Sequence, residues 1–274
     1  MNKILLFFTL CFSVNIISAQ SVRTLLVEEF TQASCPPCEA TTPALNERLL
    51  INQGKLVQIR YQTSWPGVDP MNADNPAEVA ARVTYYGVQG VPDAFVDGIN
   101  APFPELVTQD DIDARYPGTS PVLVEVEHEL SADQSSISVT VKVTNEGTNM
   151  YTNANDKLRV ALIEEVISWD TPPGSTSITE FEAVMKTFFT GPDGIDVPDV
   201  AGGDTWEMTW TNLALPNTIY DIGELETVAF IQNDSDRIVI NAGTTNPKPL
   251  LGDITDLAAS NFTTDASGLC SYEL

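Results

Sequence analysis

The sequence predicts an α/β domain followed by an all-β domain of the immunoglobulin-like sandwich class. Over residues 20–117, apolar strand-like segments alternate with helical ones, which is typical of α/β proteins. After a Pro- and Gly-rich linker at 117–121 the apolar period changes to two, which indicates half-buried strands. A length of 274 residues suits two domains of ordinary size. We therefore expect domains at 20–117 and 118–246.

Residues 1–19 have the pattern of a secretory signal peptide. Lys3 provides a positive start, the apolar run 4–14 is too short to span a bilayer, and Ser18 and Ala19 are small residues suited to cleavage. An uncleaved anchor is the alternative. Later apolar runs fall short of the ~18 residues that a membrane helix needs. The pattern predicts an exported protein that is soluble or peripherally attached to a membrane.

The first domain should alternate strands and helices around one Pro- and Asn-rich surface insertion at 64–76. The predicted elements are a strand at 22–30, a helix from Pro37 to about Leu50, a strand at 56–61, a helix at 76–86, a strand at 93–96 and a weaker helix at 106–115.

The second domain should contain about seven strands. Apolar residues alternate with polar ones from 122 and again from 137, whereas 158–167 is a more continuous apolar run that suits a strand covered on both faces. Residues 178–189 fit neither a helix nor a strand well. We expect the final segment, 247–274, to be poorly ordered.

The charge excludes one large class of function. The chain carries 38 acidic and 13 basic residues, a net charge of −25. Such a surface repels phosphate backbones, so we expect no nucleic-acid partner. The aspartates at 193–204 could bind calcium but lack a known loop spacing, and a solvated loop is the simpler interpretation. His128, the one histidine, is in phase with buried strand positions.

Three cysteines remain after the predicted signal peptide, and two of them form a Cys-x-x-Cys motif. Cys35 follows an apolar strand and begins a helix, where the helix N-terminus favours its thiolate. Cys38 lies on the same face and can close a disulfide. Cys35 could then attack a substrate disulfide and Cys38 could resolve it. The alternative is a purely structural disulfide. The third cysteine, Cys270, has no other cysteine near it in sequence, so there is no second cysteine pair to complete a four-coordinate zinc site. We therefore expect no zinc and no cofactor other than a redox-active Cys35–Cys38 disulfide.

Residues 25–38 resemble the strand, active site and helix of the thioredoxin superfamily. By that resemblance, Glu29, six residues before Cys35, corresponds to a buried acid that assists proton transfer to the resolving cysteine. Pro92, in Gly-Val-Pro, corresponds to a cis-proline that shapes the substrate site. Glu29 could instead reach solvent, and Pro92 could be a trans turn proline. Ser34 stands where thioredoxins usually have tryptophan.

A second resemblance is to the outer membrane protein 28-related family of Gram-negative surface and periplasmic proteins. It rests on three stretches, 27–31, 188–194 and 228–233. The two resemblances imply a thiol–disulfide oxidoreductase in the periplasm, in the outer membrane or at the cell surface. Its partners would be protein thiols or disulfides, or a redox partner. Peripheral attachment to the outer membrane is one arrangement that they allow. The alternative is a non-catalytic surface binding or adhesion protein.

Overall fold

The computed structural model describes residues 20–250 and two further strands, Phe262–Thr264 and Cys270–Tyr272. The predicted signal peptide and most of the segment after residue 250 lie outside the described residues. The helices are α1 (Pro36–Ile51), α2 (Pro70–Asp74), α3 (Pro76–Tyr86) and α4 (Gln109–Asp113), with 3₁₀ turns at Pro104–Leu106 and Ile222–Glu224. The strands are β1 (Ser21–Val22), β2 (Leu25–Thr31), β3 (Leu56–Gln62), β4 (Asp93–Val96), β5 (Ile99–Ala101), β6 (Thr119–Ser120), β7 (Leu123–Leu130), β8 (Ser136–Thr144), β9 (Asp156–Ser168), β10 (Glu180–Phe188), β11 (Ile195–Asp196), β12 (Thr205–Ala214), β13 (Leu225–Asn233), β14 (Val239–Thr244), β15 (Phe262–Thr264) and β16 (Cys270–Tyr272).

A mixed sheet forms the centre of the molecule. Its strands lie in the order β14-β13-β9-β10-β3-β2-β4-β5, and β11 pairs with β9. β2 and β3 are parallel, with α1 as the connection between them, whereas β4 runs antiparallel to β2. A second sheet, β12-β8-β7, is antiparallel throughout. Two short pairs, β1 with β6 and β15 with β16, complete the sheets of the described residues.

The predicted fold class, an α/β thioredoxin-like domain followed by an immunoglobulin-like sandwich, is wrong. Strands from both sides of the linker share the central sheet, because β10 lies parallel to β3 with Val184 opposite Arg60. Strands predominate, and in the part of the chain that the structure describes only α1 and α3 exceed five residues. The linker itself forms β6, where Ser120 pairs with Ser21 of β1. Apolar alternation specifies which face of a strand is buried but not which strand lies beside it, so the joint was not predicted.

Both faces of the central sheet are covered. On one face, α3 packs on an apolar cluster that includes Phe30, Tyr61 and Phe230. On the other, α1 covers β2 and β4, and the β12-β8-β7 sheet covers β9 and β13 in a sandwich-like arrangement. β9 buries both faces, because Ala161 belongs to the first cluster and Val160 to the second. Burial on both faces explains why the apolar run of this strand is continuous.

Candidate functional site around Cys35 and Cys38

Cys35 and Cys38 form a disulfide at the start of α1, with an S–S distance of 2.10 Å and a Cα–Cα distance of 5.2 Å. Cys35 is the N-cap residue, and the N–H of Cys38 donates to its Sγ at 3.1 Å. The helix begins at Pro36, one residue earlier than predicted, since proline is well suited to a first helical position. Pro36 and Pro37 carry no N–H. In this first turn the amide donor to Sγ is therefore that of Cys38.

The loop before β4 contacts the disulfide. The carbonyl oxygen of Val91 lies 3.7 Å from Sγ of Cys35, and the peptide bond between Val91 and Pro92 is cis. Pro92 is buried. Cys35 and Cys38 are themselves only 1% and 0% exposed. The structure thus brings Pro92 beside the cysteines and encloses the sulfur atoms.

Glu29 lies in β2 beneath α1, and it is buried. The hydroxyl of Thr42 donates to its Oε1 at 2.8 Å, and Nε of Arg60 lies 2.9 Å from its Oε2. Burial raises the pKa of Glu29, and the charge of Arg60 and the Thr42 hydrogen bond oppose that rise. Thr42 follows Cys38 by four residues and so shares its helix face. Glu29 therefore reaches the helical turn next to Cys38 and does not point to solvent.

The loop between β9 and β10 closes over the segment that precedes Cys35. The N–H of Ser175 donates to Oγ of Ser34 at 2.9 Å, and the hydroxyl of Thr176 donates to the carbonyl of Ala33 at 2.7 Å. A methyl group on Gly174 would lie 2.3 Å from that carbonyl oxygen. Sequence reasoning missed this loop, because about 140 residues separate the partners and the loop carries no motif.

The insertion at 64–76 holds the same segment from another side. The carboxylate of Asp69 accepts the N–H of Ala33 at 2.7 Å, and the hydroxyl of Ser34 donates to the carbonyl of Val68 at 2.7 Å. Burial raises the pKa of Asp69, and the backbone donors, first that of Ala33, oppose the rise. Ser34 thus ties together two loops. Four exposed apolar residues surround this region: Pro36, Pro37, Pro66 and Val68.

The remaining singled-out residues lie away from the disulfide. Nδ1 of His128 lies 2.9 Å from the hydroxyl of Thr227, and burial lowers the pKa of this histidine. Trp206 and Trp210 pack against the core beneath the β12-β8-β7 sheet. These three side chains therefore belong to the packing of the second sheet.

The aspartate loop at 193–204 contains one ion pair, between Asp196 and Lys157. Nowhere in residues 20–250 do three or more His, Cys, Asp or Glu side chains come together as a metal site would require. The described helices include none that is long and apolar enough to cross a bilayer.

Comparison with known proteins identifies one family. The family model for outer membrane protein Omp28 matches residues 79–249, more than half of the chain. The matched region begins after the cysteine motif, so of the three stretches behind the resemblance it includes 188–194 and 228–233 but not 27–31. The family name indicates an outer membrane or envelope protein. No curated protein matches the sequence.

Two of the solved structures that resemble this one match most of its length. HBP35 of Porphyromonas gingivalis is 13% identical with a TM-score of 0.66, and the match covers 92% of this chain and 85% of that chain. A protein of Agrobacterium tumefaciens is 17% identical with a TM-score of 0.53, over 85% of this chain and 99% of that chain. At these identities the likeness concerns the fold alone.

Proposed function

We propose, for a chain that belongs to the outer membrane protein Omp28 family, that Cys35 and Cys38 exchange thiols and disulfides with protein substrates in the cell envelope. The observation that carries the proposal is the disulfide at the first turn of α1, with Cys35 as the N-cap residue. A helix N-terminus stabilises a thiolate, which is the reactive form in exchange. The proposed location is the periplasm, the outer membrane or the surface of a Gram-negative cell, with peripheral attachment.

The proposed reaction needs no group beyond the two cysteines and the substrate. In the reduced protein, the Cys35 thiolate attacks a substrate disulfide, forms a mixed disulfide and releases one substrate thiolate. Cys38 then loses its proton and attacks Sγ of Cys35, which releases the second substrate sulfur as a thiolate. The two substrate thiolates become thiols by taking up the proton lost by Cys38 and one proton from water, and the protein ends with the Cys35–Cys38 disulfide. The reverse sequence oxidises a substrate dithiol.

Three neighbouring groups support these roles. Glu29 is proposed to accept the Cys38 proton, since a carboxyl group whose pKa is raised by burial is a better proton acceptor than an exposed one. The Val91 carbonyl and Pro92 lie against Cys35, where a substrate backbone would have to approach. The exposed apolar residues around the disulfide offer contact area, and Val68 is 76% exposed. They would supply the apolar contact surface that thioredoxins obtain from the tryptophan at the position of Ser34.

One observation favours a second candidate, a non-catalytic binding or adhesion protein that uses this fold as a scaffold. Both cysteines are enclosed, at 1% and 0% exposure, and a disulfide that no thiolate reaches is structural. Catalysis would require the loop that carries Ser175 to move away from Ser34. The position of the disulfide at the helix start thus supports exchange, whereas its enclosure supports the binding protein. The two candidates differ in whether a partner thiol reaches Cys35.

Trapping of mixed disulfides distinguishes the two candidates. In a Cys38→Ser variant expressed in its native envelope, Cys35 can attack a substrate but the mixed disulfide is not resolved. We expect partner proteins linked through Cys35 that are released by a reducing agent. The matched control is the double variant Cys35→Ser, Cys38→Ser, which should trap none. Recovery of no partner from Cys38→Ser would support the binding protein.

A further inference from the structure

A large cavity lies between α1 and β7, over the joint where β3 meets β10. Its volume is about 830 Å³, and its lining includes Leu49 of α1, Val57 of β3, Ala183 of β10 and Val126 of β7. The cavity exists because two separate elements, α1 and the β12-β8-β7 sheet, cover this face of the central sheet and leave a gap between them. Its size falls in the range of small-molecule sites, about 300–1,000 Å³.

The walls of the cavity are acidic and its floor is apolar. Leu49, Val57 and Ala183 are buried apolar residues. Above them stand six glutamates and one lysine: Glu47, Glu125, Glu127, Glu165, Glu182, Glu226 and Lys248. Anionic and strongly polar ligands are disfavoured by such a lining. A ligand with a positively charged group and an apolar body complements both the acidic walls and the apolar floor.

Among the side chains that the structure describes, cations neutralise only two of these carboxylates. Lys248 pairs with Glu165 at 2.5 Å, and Arg60 lies 3.4 Å from Glu182. Within residues 20–250, Glu226 forms no ion pair, although it is only 8% exposed. Its Oε1 accepts a hydrogen bond from the hydroxyl of Thr244. Its Oε2 forms no hydrogen bond within the same residues and is not fully buried, so a donor that enters the cavity can reach it.

We propose that this cavity binds a small organic cation, with its ammonium or guanidinium group at Glu226 and its apolar body on the floor of Leu49, Val57 and Ala183. Charge-assisted hydrogen bonds to a carboxylate are among the strongest that a polar group forms. The metal-site criterion is not met in this part of the chain, so the chemistry favours an organic cation. The site goes beyond the proposed exchange reaction and does not depend on it.

Calorimetry with three eight-carbon probes tests the proposal on the full mature chain at pH 8. Octylammonium, 1-octanol and octanoate share an apolar body and differ in charge. We expect octylammonium to bind and the other two to bind at least about tenfold more weakly. Glu226→Gln should weaken octylammonium binding at least about tenfold. The matched control Glu207→Gln, exposed on β12 and outside the cavity, should leave it unchanged.

Two further variants keep the test decisive if Glu226→Gln does not fold. Glu125→Gln and Glu127→Gln change exposed side chains of β7, so the fold should tolerate them, and together they should weaken octylammonium binding several-fold. Equal affinities for octanol and octylammonium would overturn the proposal. So would unchanged affinity in the glutamine variants, or no octylammonium binding at millimolar concentration.

Discussion

Thr42 donates a hydrogen bond to Oε1 of Glu29 across 2.8 Å, from the position one helical turn after Cys38. The bond therefore holds the buried carboxylate against the helix face that Thr42 shares with Cys38. This bond also opposes the effect of burial on the pKa of Glu29. In the proposed proton transfer, Thr42 would therefore be a positioning residue for Glu29.

We expect Thr42→Val to raise the pKa of Glu29 further, because the variant removes a donor that stabilises the charged carboxylate. The measurement is the pH dependence of mixed-disulfide resolution, whose midpoint should move to higher pH. Thr41→Val is the matched control, since the Thr41 hydroxyl donates to the Pro37 carbonyl and not to Glu29. An equal shift in both variants would show that the helix, and not the hydrogen bond, had changed.

The loop that carries Gly174 should control access to the disulfide. In Gly174→Ala the new methyl group would lie 2.3 Å from the carbonyl oxygen of Ala33, which the backbone cannot accommodate without displacing the loop. Loss of about two hydrogen bonds, each contributing about 1 kcal/mol, should accelerate reduction by dithiothreitol roughly tenfold or more. Gly223→Ala is the control, because its methyl group would meet only the side chain of Asp221 at 3.2 Å. Equal reduction rates in Gly174→Ala and the wild type would mean that the loop does not limit access.

The elements near the cysteines were largely predictable from sequence, and the arrangement around them was not. An apolar strand, a cysteine at a helix start and Gly-Val-Pro before a strand are local patterns, so β2, α1 and the loop at Pro92 lie close to their predicted positions. The joint between β10 and β3 and the contacts of Ser175 and Thr176 connect residues far apart in sequence. The spacing of apolar residues along a strand does not indicate such pairings, because a period of two is consistent with any neighbouring strand that buries the same face.

Arg82 should be essential for stability. It is fully buried and lies 2.5 Å from Glu28, which is buried as well. Arg82→Met would leave the Glu28 carboxylate without its cation and should lower the free energy of unfolding by about 3–5 kcal/mol, measured by urea denaturation. Lys157→Met provides the comparison, because its pair with Asp196 is exposed and should contribute less than about 1 kcal/mol. Similar losses in the two variants would refute a special role for the buried pair.

The two prolines of the motif should keep the reduction potential low. Pro36 and Pro37 cannot donate to the Cys35 thiolate, which weakens the reduced form, so we expect a potential below about −200 mV. Pro36→Gly restores an N–H at the first helical position and should raise the potential, measured by equilibration with glutathione. Pro43→Gly, in the middle of the same helix, controls for flexibility. A wild type more oxidising than Pro36→Gly would show that another effect outweighs the missing donor.

The last prediction concerns the stability of the cavity wall. Burial raises the pKa of Glu226 to about 7 from its ordinary 4.5; the Thr244 hydrogen bond opposes this rise, Glu165 adds to it, and Lys248 reduces it. Because the folded state binds this proton more tightly than the unfolded state, the resulting stabilisation is fully present below pH 4.5 and is lost as the pH rises through about 7.

Glu226→Gln removes that dependence, since glutamine does not titrate. Relative to the wild type, the variant should therefore be more stable at pH 8 than at pH 4.5, by up to about 3 kcal/mol. Urea denaturation of both proteins at the two pH values measures the difference, and exposed Glu207→Gln should show no comparable change. A wild-type-to-variant difference that is equal at the two pH values would mean that Glu226 titrates alike in the folded and unfolded states. Its carboxylate would then carry no desolvation cost for a cation in the cavity to relieve.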